Sequence, residues 1–456
     1  MKSFRSTVGL AIAMAALAGY AYYDYVQEQK KTAAQAEQEK ILGVKAADIH
    51  EVRLVRPGET VVLKLVQGQW QMTEPVADAV ENETIASHLD TMASERGAEM
   101  PKAKSGSYNW SEYGLNQPGL EAELTKSDGN KVKFAVSSQA AFDGSYYVRL
   151  NDRLFLGGGS WARIAEKGSA QLRDKRFWRK QGAIERLIVE TQHPDLKEKM
   201  VLVKKEGKWS QEGKSHLIDA TKVDGYLSAL KEIRALDYVA NKADVATLKK
   251  YGLDRPVTKI TLGEFTASVS AEKDNAAYVK TSEADAILRL SGHDAGQLKI
   301  GSSDVRDGRV PFKMNLEQVR QLQVKAGQKV QTFKKEGSDW KLDGAKPEQK
   351  VQSENLQKVF ENISNLEAKS FLPSTQKVGA IKQKVEFLNG EGKPLLAVEV
   401  GEDFTPKGGR HQNEGMTYLR VSSIPEVLAV STADLQKLPL DQLIQVDLPA
   451  QQSEKK

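Results

Sequence analysis

The sequence contains no cysteine. That absence excludes disulfides, thiol catalysis, cysteine-type zinc sites and a lipid anchor on an amino-terminal cysteine. Histidine is scarce: six residues, at 50, 88, 193, 216, 293 and 411, lie singly with no pair at metal-ligand spacing. Surface or capping roles are expected of them, and no metal or cofactor is assigned. Charge of neither sign dominates, since 66 basic and 61 acidic residues are scattered along the chain for a formal net charge of +5. Without a concentrated basic face, nucleic acid is not an expected partner. A Gly-x-Ser-x-Gly elbow and a distinct pair of carboxylates are missing, and the glycine run at 157–159 carries no Gly-Lys-Ser/Thr signature. No catalytic residue is therefore assigned, and a protein that is not an enzyme is expected.

Long hydrophobic runs are also rare, with one exception near the start. Lys2 and Arg5 precede VGLAIAMAALAGYAYYDYV, Val8 to Val26. As a helix that run is about 28 Å long, close to the ~30 Å hydrocarbon core of a bilayer. Tyr20, Tyr22, Tyr23 and Tyr25 cluster at its far end, where amphipathic rings suit the headgroup layer. The expectation is a transmembrane signal anchor over residues 1–26, touching the membrane through 8–26. With Lys2 and Arg5 left in the cytoplasm, the protein would be single-pass in the inner membrane, its carboxy-terminal domains in the periplasm or outside the cell. Ala16-Leu17-Ala18 offers a competing cleavage site. The aromatic continuation past Ala18 favours a retained anchor. Residues 27–41, rich in Gln, Glu, Lys and Ala, read as a polar stalk.

Beyond the stalk the chain repeats itself. Gly68-Gln69-Trp70, Gly207-Lys208-Trp209 and Gly337-Ser338-Asp339-Trp340 each follow a short alternating apolar run. Each is followed in turn by an amphipathic helix pattern: Ile85, Leu89 and Met92; Val223, Leu227 and Leu230; Leu356, Phe360 and Ile363. The order strand, hairpin, strand, helix thus recurs three times. Tyr113-Gly114-Leu115 with Pro118 returns as Tyr251-Gly252-Leu253 with Pro256, at the same distance past the tryptophan to within one residue. In the third copy Val378-Gly379-Ala380 stands in its place. The fold expected is α+β: a transmembrane helix, then three tandem repeats at 42–181, 182–314 and 315–448, each an antiparallel sheet with a packed helix. Residues 449–456 read as a disordered tail.

Few motifs offer chemistry. Gly157-Gly158-Gly159-Ser160 resembles an anion cradle at a helix start, but the matching positions, Ser291-Gly292 and Ser431-Thr432, keep only a hydroxyl, which points to helix capping. Arg173-Asp174-Lys175-Arg176 and Arg306-Asp307-Gly308-Arg309 recur at the close of the first two copies. Arg173, Asp174, Arg176, Arg306, Asp307 and Arg309 are candidates for a partner surface, with local pairing at a junction as the plainer reading. The three tryptophans read as core plugs. The stretch Glu402 to Gly415 reads as a mobile surface loop.

These landmarks, Trp70, Tyr113-Gly114-Leu115, Tyr146-Tyr147-Val148 and Leu172-Arg173-Asp174, echoed at Trp209, Tyr251-Gly252-Leu253 and Val305-Arg306-Asp307, resemble the bacterial family called domain of unknown function forty-three-forty. The resemblance implies an envelope protein encoded beside the permease and auxiliary subunits of an ABC-2-type exporter of the gliding-motility kind, with no family active site to carry over. The expected function is that of a membrane-anchored, extracytoplasmic binding or scaffold component of such a transporter. The alternative is a structural envelope protein that holds cell-wall polymer on its repeat faces.

Overall fold

The computed structural model describes residues 18–30, 40–102, 106–159, 161, 167–406, 411 and 413–446. Three antiparallel sheets of nine, eight and eight strands follow one another along the chain. In each, three strands form a meander, a helix and a short strand follow, and four more strands form a second meander. The opening strands of the two meanders pair at the centre: Ile49–Arg56 with Leu120–Lys126, Arg186–His193 with Thr258–Leu262, and Gln321–Ala326 with Gln383–Leu388. The short strand after the helix is carried to the far edge, where Ala98–Glu99, Asp237–Ala240 and Ser370–Leu372 pair with the last strand of the second meander.

Sequence pattern explains this arrangement. In Ile49–Arg56 the residues Ile49, Val52 and Leu54 are buried while His50 and Arg53 are exposed, the period of two expected of a sheet with one covered face. The hairpin before each tryptophan turns on a glycine in the left-handed region, with φ of 78° at Gly68, 78° at Gly207 and 63° at Gly337. Gln67 and Glu206 are left-handed as well, so the first two turns have both central φ angles positive, the geometry that matches strand twist. Crossing from one edge of its sheet to the other, each helix buries a single stripe. Asn82–Ser94 buries Ile85, Leu89 and Met92, Ala220–Glu232 buries Val223, Tyr226 and Leu230, and Ser353–Ser364 buries Leu356, Val359, Phe360 and Ile363. Leu227, expected in the second stripe, is half-buried, and Tyr226 fills the place beside it.

The first sheet also carries a layer on its other face. Tyr108 and Leu115 pack with Ala135 and Leu154 in a small apolar cluster, and Tyr108 donates its hydroxyl proton to the Met100 carbonyl at 2.5 Å.

The chain forms two compact units, Met1–Lys175 and Arg176–Lys456. The second holds two of the sheets. The division falls where it does because Phe177 and Trp178 already belong to the core of the second sheet, and the Phe177 amide donates to the Ile233 carbonyl at 3.0 Å.

Of the expected membrane span, residues 8–17 lie outside the described residues, and 18–30 are helical with all four tyrosines exposed. Among the described residues no helix is long and apolar enough to cross a membrane. Ser160, residues 407–410 and 412 of the expected loop, and the tail 449–456 also lie outside the described residues.

Candidate interaction surfaces

The repeat landmarks are interior. Trp70 and Trp209 are both 6% exposed and sit in the cores of their sheets, whereas Trp340 is half-buried and packs on Phe360 at a ring separation of 5.3 Å. The Trp70 amide donates to Asn82 at the start of the helix, tying hairpin to helix. In the Tyr-Gly-Leu turns the glycine is left-handed, with φ of 63° at Gly114 and 70° at Gly252, and Gly379 keeps the same conformation at 72°. Leu115 and Leu253 are buried, and each tyrosine meets the ring of another in the second meander: Tyr113 with Tyr147 at 5.0 Å, Tyr251 with Tyr278 at 4.7 Å. The third copy keeps the backbone turn without its tyrosine, and Tyr418, the counterpart of Tyr147 and Tyr278, stacks instead on Phe404 at 3.9 Å.

The Arg-Asp closures lie beside the helix starts. Val80 bridges to Arg173, and the amides of Glu81 and Asp174 donate to the carbonyls of Leu172 and Ala79. Ile218 bridges to Arg306 in the same register, with Asp219 donating to Val305 and Asp307 to Leu217. In the third repeat Val351 pairs with Ile444 at this place, in a separate two-stranded sheet, so an apolar residue stands where the arginines did.

Side chains at the two closures differ. Arg173 is 1% and Asp174 0% exposed, and the Arg173 guanidinium donates to one Asp78 oxygen from Nε at 2.7 Å and Nη2 at 2.6 Å. These two residues therefore belong to the interior rather than to a partner surface, because a cation this deep needs a buried carboxylate beside it. Arg176 is half-buried, its backbone bridged to Arg234, and Asp307 is half-buried with a carboxylate that accepts from the Arg309 amide at 3.0 Å. Arg309 is exposed.

Arg306 reaches out of its own sheet. It pairs with Glu426 at 3.0 Å and lies 3.6 Å from the centre of the Phe371 ring, both in the third repeat. Around it the two sheets of the second unit are joined by further polar contacts. Lys222 pairs with Glu367 at 2.8 Å, the Phe371 amide donates to Ser303 Oγ at 2.8 Å, and Ser423 Oγ donates to the Pro311 carbonyl at 2.7 Å. Partial burial pushes the Glu367 carboxyl up, but hydrogen bonds from Lys222 and Lys369 outweigh it and bring it from 4.5 down to about 2. His216 also faces this seam; burial, with Arg306 and Lys214 nearby, holds its imidazole below the ordinary value.

One concave surface stands out. On the face of the first sheet opposite the helix, a trough of about 590 Å³ is lined by Arg53, Glu121, Glu123, Lys133, Ala135 and Arg149, with Asn151 and Asp152 at one end. Lys131 and Lys133 both pair with Glu123, at 2.6 and 3.0 Å, and Arg53 lies 3.7 Å from Glu74. The Arg149 guanidinium sits over the Trp110 ring, 5.4 Å from its centre. None of these residues belongs to a motif visible in the sequence; the only signal was the polar half of each strand's alternation.

Of the glycine run, the Gly158 amide donates to Glu95 at 2.9 Å. Ser291 caps the helix Gly292–Gln297 by accepting from the Asp294 amide at 3.1 Å.

No curated protein matches this sequence. The family described as a domain of unknown function, DUF4340, matches it twice, over residues 70–256 and 218–384. Those spans run from the first tryptophan hairpin to the centre of the third sheet, and cover the recurring hairpin, helix and Tyr-Gly-Leu turn described above. The chain is a member of the DUF4340 family, carrying its domain in tandem.

Proposed function

We propose that this protein is a membrane-anchored, extracytoplasmic binding or scaffold component that works beside an ABC-2-type transporter of the gliding-motility kind and is not itself an enzyme. The observation that carries the reading is the order of parts in one chain: a basic and apolar leader, Lys2 to Val26, set ahead of tandem copies of this domain. A leader of that composition is what holds a protein to a membrane with its bulk outside. The surfaces left open by the folded repeats are polar and of mixed charge, as suits a partner that binds reversibly.

The test is recovery of partners from intact envelopes. Mild crosslinking followed by purification of the full chain is expected to bring down the permease or an auxiliary subunit of the transporter, and protease added outside the cytoplasmic membrane is expected to reach the repeats. Repeated recovery of no transporter subunit, or repeats protected until the inner membrane is opened, would overturn the assignment.

A further inference from the structure

Four strands of the first sheet place Val55, Glu121, Ala135 and Arg149 side by side in one row across the trough. The other two sheets have the same row in the same register: Glu190, Lys259, Ser268 and Lys280 in the second, Lys325, Lys384, Glu399 and Arg420 in the third. In those copies Glu190, Lys280, Lys384 and Glu399 are used within the protein, while Lys259, Lys325 and Arg420 have no hydrogen-bond or ion-pair partner among the described residues. Glu190 pairs with Lys199 at 2.9 Å, Lys280 donates to the carbonyls of Thr281 and Ala284 at 2.6 and 2.8 Å, and Lys384 lies between Glu386 at 3.1 Å and Glu399 at 3.8 Å.

In the first copy neither charge of the row is so used. Among the described residues the Glu121 carboxylate has no hydrogen-bond or ion-pair partner, and the Arg149 guanidinium has only the Trp110 ring. Between them stands the shortest side chain of the three versions, Ala135, which forms the floor. A carboxylate and a guanidinium thus face solvent about 10 Å apart, two strand spacings, on either side of a dip. The Trp110 ring offers the guanidinium a π face but no carboxylate, so its N–H donors are left for one from outside.

We infer that this trough docks an extended peptide segment of a partner protein, one that carries a basic and an acidic side chain two residues apart. This rests on the reading of the chain as a protein-binding component. Side chains two apart on an extended strand lie about 7 Å from each other on the same face, within reach of both charges. The basic side chain goes to Glu121 and the acidic one to Arg149. A neutral glycan would cover both charges without pairing either, and a polyanion would meet Glu121, Glu123 and Asp152; only a ligand of both signs satisfies the row.

The test uses the full chain in detergent and a labelled, capped peptide, Ala-Glu-Ala-Lys-Ala-Glu-Ala-Lys-Ala, beside a control in which each lysine is glutamine. The mixed-charge peptide is expected to bind saturably and more tightly than the control. Glu121→Lys and Arg149→Glu should each weaken it about tenfold or more, and the double exchange should restore it, because the peptide can lie the other way round. Circular dichroism of each variant separates lost binding from lost fold. Equal binding of the two peptides, or single variants that bind as the parent does, would overturn the inference. So would purified cell-wall polymer that sediments the parent chain but not the variants. Crosslinking in cells separates this from the proposed function: transporter subunits recovered in full by both single variants would remove the trough from docking yet leave the scaffold role standing.

Discussion

Arg173 and Arg306 occupy one place in two copies of the same fold and have been put to opposite uses. Arg173 turns inward to Asp78 and is closed off from water; Arg306 turns outward, to Glu426 and the face of Phe371 in the following repeat. The backbone bridge that positions them is identical, Val80 to Arg173 and Ile218 to Arg306. What changes is the residue across from it, since Asp78 of the first copy has His216 as its counterpart two residues before the bridge. Losing the internal carboxylate frees the arginine to take one from its neighbour. The lesson is that one position of a repeated domain can serve as an internal anchor or as a joint, according to the residues that surround it.

Breaking each pair should show how different the two uses are. The largest effect is expected from Asp78→Ala, which leaves a buried guanidinium without its carboxylate at a cost of about 3–5 kcal/mol. Urea denaturation of the full chain should show an early transition of the first unit, and Asp78→Ala combined with Arg173→Met should recover most of the loss. If the single variant unfolds with the parent, the pair is not the internal anchor described. Arg306→Ala removes a partly exposed ion pair and a stacked ring, together about 1–2 kcal/mol. Its signature is local: hydrogen exchange should quicken at Phe371 and leave the two sheet cores unchanged, and Arg306→Lys, which keeps the charge without the flat fork, should not fully reverse it. Uniform exchange across the second unit would mean that Arg306 is no joint.

The smallest effect sharpens the same comparison through pH. Glu367 has a folded value of about 2 against an ordinary 4.5, so its pairing with Lys222 and Lys369 contributes fully above 4.5 and fades as pH falls toward about 2. Compared with Glu367→Gln, the parent should be more stable near neutrality, and the two should converge over that acid window. A gap that persists at pH 2 would assign the stabilisation to something other than ionisation.

Periodicity made the repeat legible. The three helix stripes, the hairpins and the left-handed glycines at 114 and 252 announce themselves because each is a local rule: a period of two, a period of 3.6, or a φ that favours glycine. Even Gly379, set in a turn whose flanking residues had both changed, kept its conformation. What local rules do not reach is pairing across distance. Asp78 and Arg173 meet only because the chain returns past the helix start, and nothing near either residue says so. The trough was hidden for a related reason. Glu121 and Arg149 look like ordinary solvated strand residues, and their lack of ion-pair partners among the described residues becomes visible only when the register sets them beside Ala135. The cover over the first sheet's second face, from Tyr108 to Leu115, has no periodicity at all, and its packing follows from an aromatic content that reads equally well as a loop.

The bridges that flank the first two helices also decide how those repeats would take a load. The chain enters a repeat beside the helix's last turn, where Lys40 meets Arg96 and Arg176 meets Arg234, and leaves it beside the first turn, where Val80 meets Arg173 and Ile218 meets Arg306. Tension along the chain would thus pass from one end of a rod about 20 Å long to the other, through a few backbone contacts at each tip. The eight- and nine-stranded sheets lie to the side of that line, so stretching should part the tips first and leave the sheets folded.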